Sequence, residues 1–280
     1  MQLTSKALNA TFHGAGRETL VLAHGFGGSQ AVWADCLPRL SRAFRVLTYD
    51  LACAGTADTA YFDLTRHGQL EGHAEDLISI LSEQHVSACT FVGHSVSGMI
   101  GILAATERPD LFSRLILLGS SACYLNDGSY QGGFTRDAVE AMLAAIQSNF
   151  RSWATGFAPV MLDRPIDHPA TETFLDSMLR MRPDIAVGMA QAIFLADYRD
   201  KVALCPVPAV ILQTRQDPAV PIGAAEFLHQ HLPGSGLRFI ETTGHLPQLS
   251  APRETEAALL ELQFDANLPR ASAGPGGRMH

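Results

Sequence analysis

Short apolar runs alternate with amphipathic stretches from Thr19 to Gly119, and again from Val207 onward. Thr19–Ala23, Phe44–Tyr49, Cys89–Gly93 and Arg114–Gly119 are each rich in β-branched or aliphatic residues and bounded by polar or glycine positions. They predict buried strands, since a strand covered on both faces carries apolar residues without alternation. Between them, Leu70, Ala74, Leu77, Ile78 and Leu81 recur at helical spacing, and Met99–Thr106 predicts a buried helix ending near Arg108-Pro109. Ala31–Leu40 also predicts a helix. Strands alternating with helices predict an α/β fold with a mostly parallel sheet covered on both faces.

The pattern changes after Cys123. From Tyr124 to Asp197 no strand is predicted, and helical text takes over at Ala138–Phe150, Trp153–Met161, Thr171–Met181 and Pro183–Ala196. A helical insertion between two core strands predicts a cap over a site at the sheet edge. Its large side chains include Phe134, Trp153, Phe157, Met161, Met178, Met189 and Phe194. Most of these are expected to pack helix against helix, and some to face the site. Strand text resumes with Ala209–Gln213 and Leu237–Ile240. The domain reading is a core of residues 1–123 and 198–266, a lid of residues 124–197 and a flexible tail of residues 267–280.

Composition narrows the class. The 280 residues are 47% hydrophobic and 17% charged, which supports one large core. A net charge of −8 with no basic run argues against nucleic acid or an anionic membrane surface. No stretch approaches the roughly 20 apolar residues of a membrane span, and Met1–Ala10 lacks the apolar segment of a secretory signal. The five cysteines are odd in number and scattered, which predicts reduced thiols in a cytoplasmic protein. His229 and His231 point apart on a predicted helix, and His67, His73 and His85 lack acid or cysteine partners, so no metal is expected. No phosphate or dinucleotide fingerprint is present and no cofactor is expected.

The candidate chemistry starts at Val92-Gly93-His94-Ser95-Val96-Ser97-Gly98, between a strand and a buried helix. A sharp strand-to-helix turn flanked by small residues lifts a serine hydroxyl clear of its surroundings, which marks Ser95 as a nucleophile. The pattern departs from G-x-S-x-G in having Ser97 at the last small position. Downstream, Asp217 follows one strand and His245 another, the order nucleophile, acid, histidine. His245 is the candidate general base, and Asp217 the carboxylate that fixes its tautomer. Asp217 also reads as a turn former before Pro218, and His245 as a loop histidine. Upstream, His24-Gly25-Phe26-Gly27-Gly28 follows a strand, so the backbone amides of Phe26 and Val96 are the candidate oxyanion donors. A plain glycine-rich turn fits the same residues.

The elbow Gly93–Ser97, the stretch Tyr124-Leu125-Asn126-Asp127 with Gly132-Gly133-Phe134, the cap segments Trp153–Pro159 and Arg182–Ile185, and the closing Gly244–Ser250 resemble one group. It is the α/β-hydrolases that include the plant strigolactone and karrikin receptors (Dwarf-fourteen-like) and the bacterial stress-regulator hydrolase RsbQ. The likeness runs from about Leu20 to Leu260. It implies an α/β-hydrolase fold with a four-helix, V-shaped lid over a lipophilic pocket, with Ser95, Asp217 and His245 as triad and Phe26, Tyr124, Trp153, Phe157 and Phe194 on the pocket wall. It also implies slow hydrolysis of a small apolar ester or butenolide-type lactone, with a signalling protein docking on the lid as a further expected partner. Ala122-Cys123 before Tyr124 is closer to the bacterial wording, and Leu51–Thr56 to the plant one. Two functions stay open: a general ester or lactone hydrolase, and a ligand sensor reset by slow turnover. A cofactor-free haloperoxidase or enol-lactonase on the same fold is a third.

Overall fold

The computed structural model describes residues 3–264. Seven strands form one sheet in the order β1-β3-β2-β4-β5-β6-β7: β1 (Thr11–His13), β2 (Thr19–Ala23), β3 (Arg45–Tyr49), β4 (Cys89–His94), β5 (Phe112–Leu118), β6 (Ala209–Gln216) and β7 (Gly236–Thr243). All neighbours are parallel except β1, which runs antiparallel to β3 at one edge. β1 is three residues long and half exposed, too short to carry a periodic pattern. The six strands anticipated from the apolar runs are all present, and β4, β5, β6 and β7 extend beyond them by one to three residues at one or both ends.

The chain goes from β2 outward to β3 and then returns to β4 on the other side of β2. Loops leaving β2 and β4 therefore part in opposite directions and leave a crevice, the usual site position in an open α/β sheet. Ala23 pairs with Gly93 at the ends of these strands, so the loops that follow start side by side. Every residue of β4 is buried, the polar Thr90 and His94 included.

Leu70–Glu83 and Val96–Glu107 are helices as anticipated. The second is apolar on all sides and accordingly buried. The helix anticipated over Ala31–Leu40 is instead a 3-10 turn at Gln30–Trp33 followed by a helix at Leu37–Ala43. Pro38 is the reason: it lacks an N–H and can enter a helix only in its first turn.

The insertion is helical throughout its long elements. Its first two segments are one helix, Arg136–Leu162, bent at Asn149, whose φ of −155° and ψ of 84° are not helical. Asn149 Oδ1 accepts the Ser152 N–H at 3.0 Å, a cap that starts the second segment. Pro169–Arg180 and Pro183–Phe194 follow, each opening on a proline in its first turn. Cys123 bridges Asp197, and Tyr198 N–H donates to Ala122 O at 2.9 Å, so the chain before these helices pairs with the chain after them. The tail anticipated at residues 267–280 lies outside the described residues. All five cysteines are buried free thiols, and burial pushes the thiols of Cys53 and Cys89 up to about 12. Among the described residues no helix is long and apolar enough to cross a membrane.

Candidate active site

Ser95 stands between β4 and the helix Val96–Glu107 with φ of 57° and ψ of −126°. A non-glycine residue held there stores about 1–3 kcal/mol of strain. Its backbone is pinned from both sides: its N–H donates to Leu118 O at 2.8 Å, and its C=O accepts from Gly98 N–H at 2.9 Å. The turn is tight enough that a Cβ on Gly93 would lie 2.5 Å from Ser97 O and 2.6 Å from Gly98 N. Ser97, the departure from the simple motif, is fully buried and donates its hydroxyl to His24 O at 2.5 Å. The extra hydroxyl therefore ties the elbow to the loop after β2.

His245 Nε2 lies 2.8 Å from Ser95 Oγ. Its Nδ1 lies 2.9 Å from Asp217 Oδ2 and 3.0 Å from Oδ1. The Asp217 side chain is fully buried, and its Oδ1 accepts the N–H groups of Ala219 at 2.8 Å and Val220 at 3.0 Å. A carboxylate so bonded is an acceptor, so Nδ1 carries the proton donated to it and Nε2 offers a lone pair to the serine hydroxyl. The three residues exit β4, β6 and β7 at the same sheet edge.

The loop His24–Gly28 closes over the elbow. A Cβ on Gly25 would lie 2.8 Å from Ser95 Cβ, so only glycine lets this backbone come so close. Among the described residues, no acceptor is bonded to the N–H of Phe26 or of Val96, which leaves both free to donate elsewhere. His24 fixes the loop: Nδ1 donates to Gly25 O at 2.8 Å, and Nε2 accepts from Leu51 N–H at 2.9 Å. Burial holds its imidazole below the ordinary histidine range.

Two groups beside the triad contact it in ways not anticipated from sequence. His94 Nε2 donates to His245 O at 2.8 Å, and its ring lies 4.9 Å from that of His245. Burial first, then the neighbouring His245, holds His94 well below the ordinary range, so it is neutral. The Tyr124 hydroxyl lies 3.2 Å from Ser95 Oγ. Burial pushes that phenol up, so it stays protonated and can donate to the serine oxygen. His94 adjoins the serine in the motif, which was the available clue. Tyr124 was anticipated only as pocket wall.

The sequence model of the Alpha/beta hydrolase family matches residues 20–258. The chain belongs to that family. Karrikin insensitive 2 receptor CA from Petunia hybrida is 43% identical over 90% of this hydrolase and 94% of its own length. Strigolactone esterase RMS3 from Pisum sativum is 41% identical over 88% and 92%. Among solved structures, a hydrolase from Oleispira antarctica superposes with a TM-score of 0.88 at 29% identity, covering 92% of this chain and 95% of that one.

Above the triad of this hydrolase lies a partly enclosed chamber of about 20 Å³, space for one water-sized body. Ser95 and His245 form its floor, and Phe26, Tyr124, Phe157 and Phe194 are among its walls. Outside it, along the bend at Asn149, runs an apolar groove of about 600 Å³ that includes Phe134, Met142, Trp153 and Pro218. Phe157 and Met161 line both spaces. Trp153 thus faces the outer groove rather than the chamber, and supports the wall from behind. Its ring stacks on Phe157 at 4.7 Å and lies 6.3 Å from Phe26. Phe194 gathers the wall by edge contacts to Phe26 at 6.3 Å, Tyr124 at 5.2 Å and Phe134 at 5.3 Å. Met178 and Met189 turn elsewhere, one toward Gly27 and the other toward His73.

Proposed function

We propose that this hydrolase cleaves a small, largely apolar ester or butenolide-type lactone through an acyl-enzyme on Ser95. The observation that carries the reading is the Ser95–His245–Asp217 chain of hydrogen bonds at a strained elbow beneath aromatic walls. Ser95 Oγ attacks the carbonyl carbon while His245 Nε2 takes its proton. The free amides of Phe26 and Val96 hold the oxyanion, each contributing about 3 kcal/mol in the transition state. Collapse breaks the C–O bond, and His245 returns its proton to the leaving oxygen. Water then gives a proton to His245 and attacks the acyl carbon, which releases the acid and restores Ser95. The protonated Tyr124 hydroxyl steadies Ser95 Oγ in the resting state. The nearly filled chamber favours a compact acyl group, with the rest of the ligand lying toward the outer groove. We assign the lid to residues 124–197.

A ligand-sensing role on the same chemistry is favoured by the names of its relatives, one a receptor and one an esterase. In that role acylation shifts the lid, a signalling protein reads the changed surface and deacylation resets it. Buried free thiols suit a reducing compartment such as the cytoplasm. Rapid-mixing assays with an aryl acetate and with a synthetic butenolide separate the two roles. Sustained turnover of both marks a general hydrolase. One equivalent of product followed by very slow release marks a sensor. Absence of any burst or turnover with either probe contradicts the hydrolytic reading.

A further inference from the structure

The lid meets the loop of the catalytic histidine residue by residue. Thr243, at the end of β7, donates its hydroxyl to Asp163 Oδ2 at 2.6 Å. At the next position a Cβ on Gly244 would lie 2.5 Å from Leu162 O, so backbone rests on backbone. His245 then donates its N–H to Met161 O at 2.6 Å. Residues 243, 244 and 245 therefore face 163, 162 and 161 in turn. Asp163 caps the bent lid helix with φ of 50°, and Arg164 Nη1 donates to Asp163 O at 2.7 Å.

These contacts account for the whole main chain of His245. Its N–H goes to the lid, and its C=O accepts from His94, which belongs to the elbow. Gly244 N–H donates to Gln216 O at 2.8 Å, and Gly244 O accepts the Thr214 hydroxyl at 3.0 Å, which ties the preceding residue to β6. The imidazole must stay within hydrogen-bond reach of Ser95, and a displacement of about 1 Å at such a site costs about 100-fold in rate. The lid is thus one of the supports of the base, as well as a roof over the chamber.

We propose that Thr243 and Asp163 are positioning residues for His245, so that acylation of Ser95 depends on the end of the lid helix Arg136–Leu162 being seated. The inference rests on the hydrolytic reading of Ser95. Neither residue lines the chamber, so their effect falls on kcat rather than KM.

Three variants test it. Thr243→Val removes the hydroxyl at nearly constant shape, and Thr243→Ser restores it. Asp163→Gly removes the acceptor while suiting the left-handed backbone. The Asp163 side chain is 61% exposed, so its loss opens no cavity. The readouts are the rate of Ser95 labelling by a fluorophosphonate and kcat and KM on an aryl acetate, all well below each variant's thermal midpoint. Thr243→Val and Asp163→Gly should each slow labelling and kcat by about three- to tenfold, the range of one hydrogen bond, with KM unchanged. The double variant should be no slower than the slower single, because both remove the Thr243–Asp163 bond, and the 3.5 Å contact of Arg164 Nη1 with the Thr243 hydroxyl is lost with Thr243→Val alone. Thr243→Ser should return to the wild-type rate. Unchanged rates in both singles, a change confined to KM, or losses that multiply in the double variant would overturn the inference. Failure to label Ser95 in the wild-type protein would instead sink the hydrolytic reading.

Discussion

Among the described residues, two buried histidines are hydrogen-bonded to an aspartate, and only one of the two faces a serine. His67 is fully buried with Nε2 3.1 Å from Asp76 Oδ2, slightly longer than the pairing of His245 with Asp217. The wiring is reversed. Asp63 N–H donates to His67 Nδ1 at 2.9 Å, so Nε2 carries the proton and the remaining lone pair is capped by backbone. Asp76 Oδ1 is occupied as well, by Arg66 Nη2 at 2.6 Å and by the Tyr61 hydroxyl at 2.8 Å. In the other pair the carboxylate takes Nδ1–H and leaves Nε2 bare, directed at Ser95 on the floor of a cavity. A histidine–carboxylate pair is therefore a structural joint by default. It becomes a base when the second nitrogen is left for the substrate side.

The comparison breaks most sharply at the serine. Ser95→Ala should lower ester hydrolysis by about 10⁴-fold or more with an unchanged circular dichroism spectrum; activity within tenfold of wild type would remove Ser95 from the chemistry. The same substitution on the two carboxylates comes next. Asp217→Asn should cost about 10⁴-fold in kcat through the wrong tautomer. Asp76→Asn should leave kcat of the folded protein unchanged while lowering stability by about 2–3 kcal/mol in urea titration. If Asp76→Asn silenced hydrolysis without unfolding, the distinction between joint and base would be wrong.

A third consequence concerns acid stability. His73 neighbours His67, at 5.1 Å between rings, and contacts Met189 of the helix Pro183–Phe194 through Nε2. Burial first, then His67, lowers its pKa from 6.5 to about 4, with Asp76 opposing. The unfolded imidazole binds its proton near pH 6.5 and the folded one only near pH 4. The unfolded state therefore holds the extra proton between those values, and stability falls as pH drops through that window, by about 3 kcal/mol from this group. His24 and His94, also lowered by burial, act in the same direction. Urea midpoints between pH 7 and 4.5 should fall in the wild type and fall less in His73→Gln. The smallest effect is on selectivity. Phe157→Ala joins chamber and groove, and should raise kcat/KM for butyrate over acetate aryl esters by about tenfold, the scale of a methylene or two in an apolar pocket.

Sheet and site were legible in the sequence to different depths. Buried strands announce themselves locally, because a run such as Leu115–Leu118 is apolar whatever it pairs with. The triad was legible because each member follows such a run, and the sheet then brings the three strand ends to one edge. The break at Asn149 was placed a few residues late, since helical spacing continues across it and only the Asn149–Ser152 cap marks the turn. Trp153 was anticipated on the pocket wall from composition and resemblance, but which face of a helix meets a cavity depends on the bend before it. The contact of Thr243 with Asp163 joins residues 80 apart in the chain and leaves no local pattern to read. The wiring of His67 is local, with Asp63 four and Asp76 nine residues away, and it gives His67 the acid partner that the sequence reading denied it.

The account depends on Ser95 being the atom that bonds to substrate carbon. Peptide mapping by mass spectrometry after brief exposure to an aryl ester or butenolide at acid quench tests this directly. The acyl mass should fall on the peptide carrying Ser95 in the wild type, and be absent in Asp217→Asn over the same interval. An adduct on another residue that forms at the wild-type rate in Ser95→Ala would contradict it.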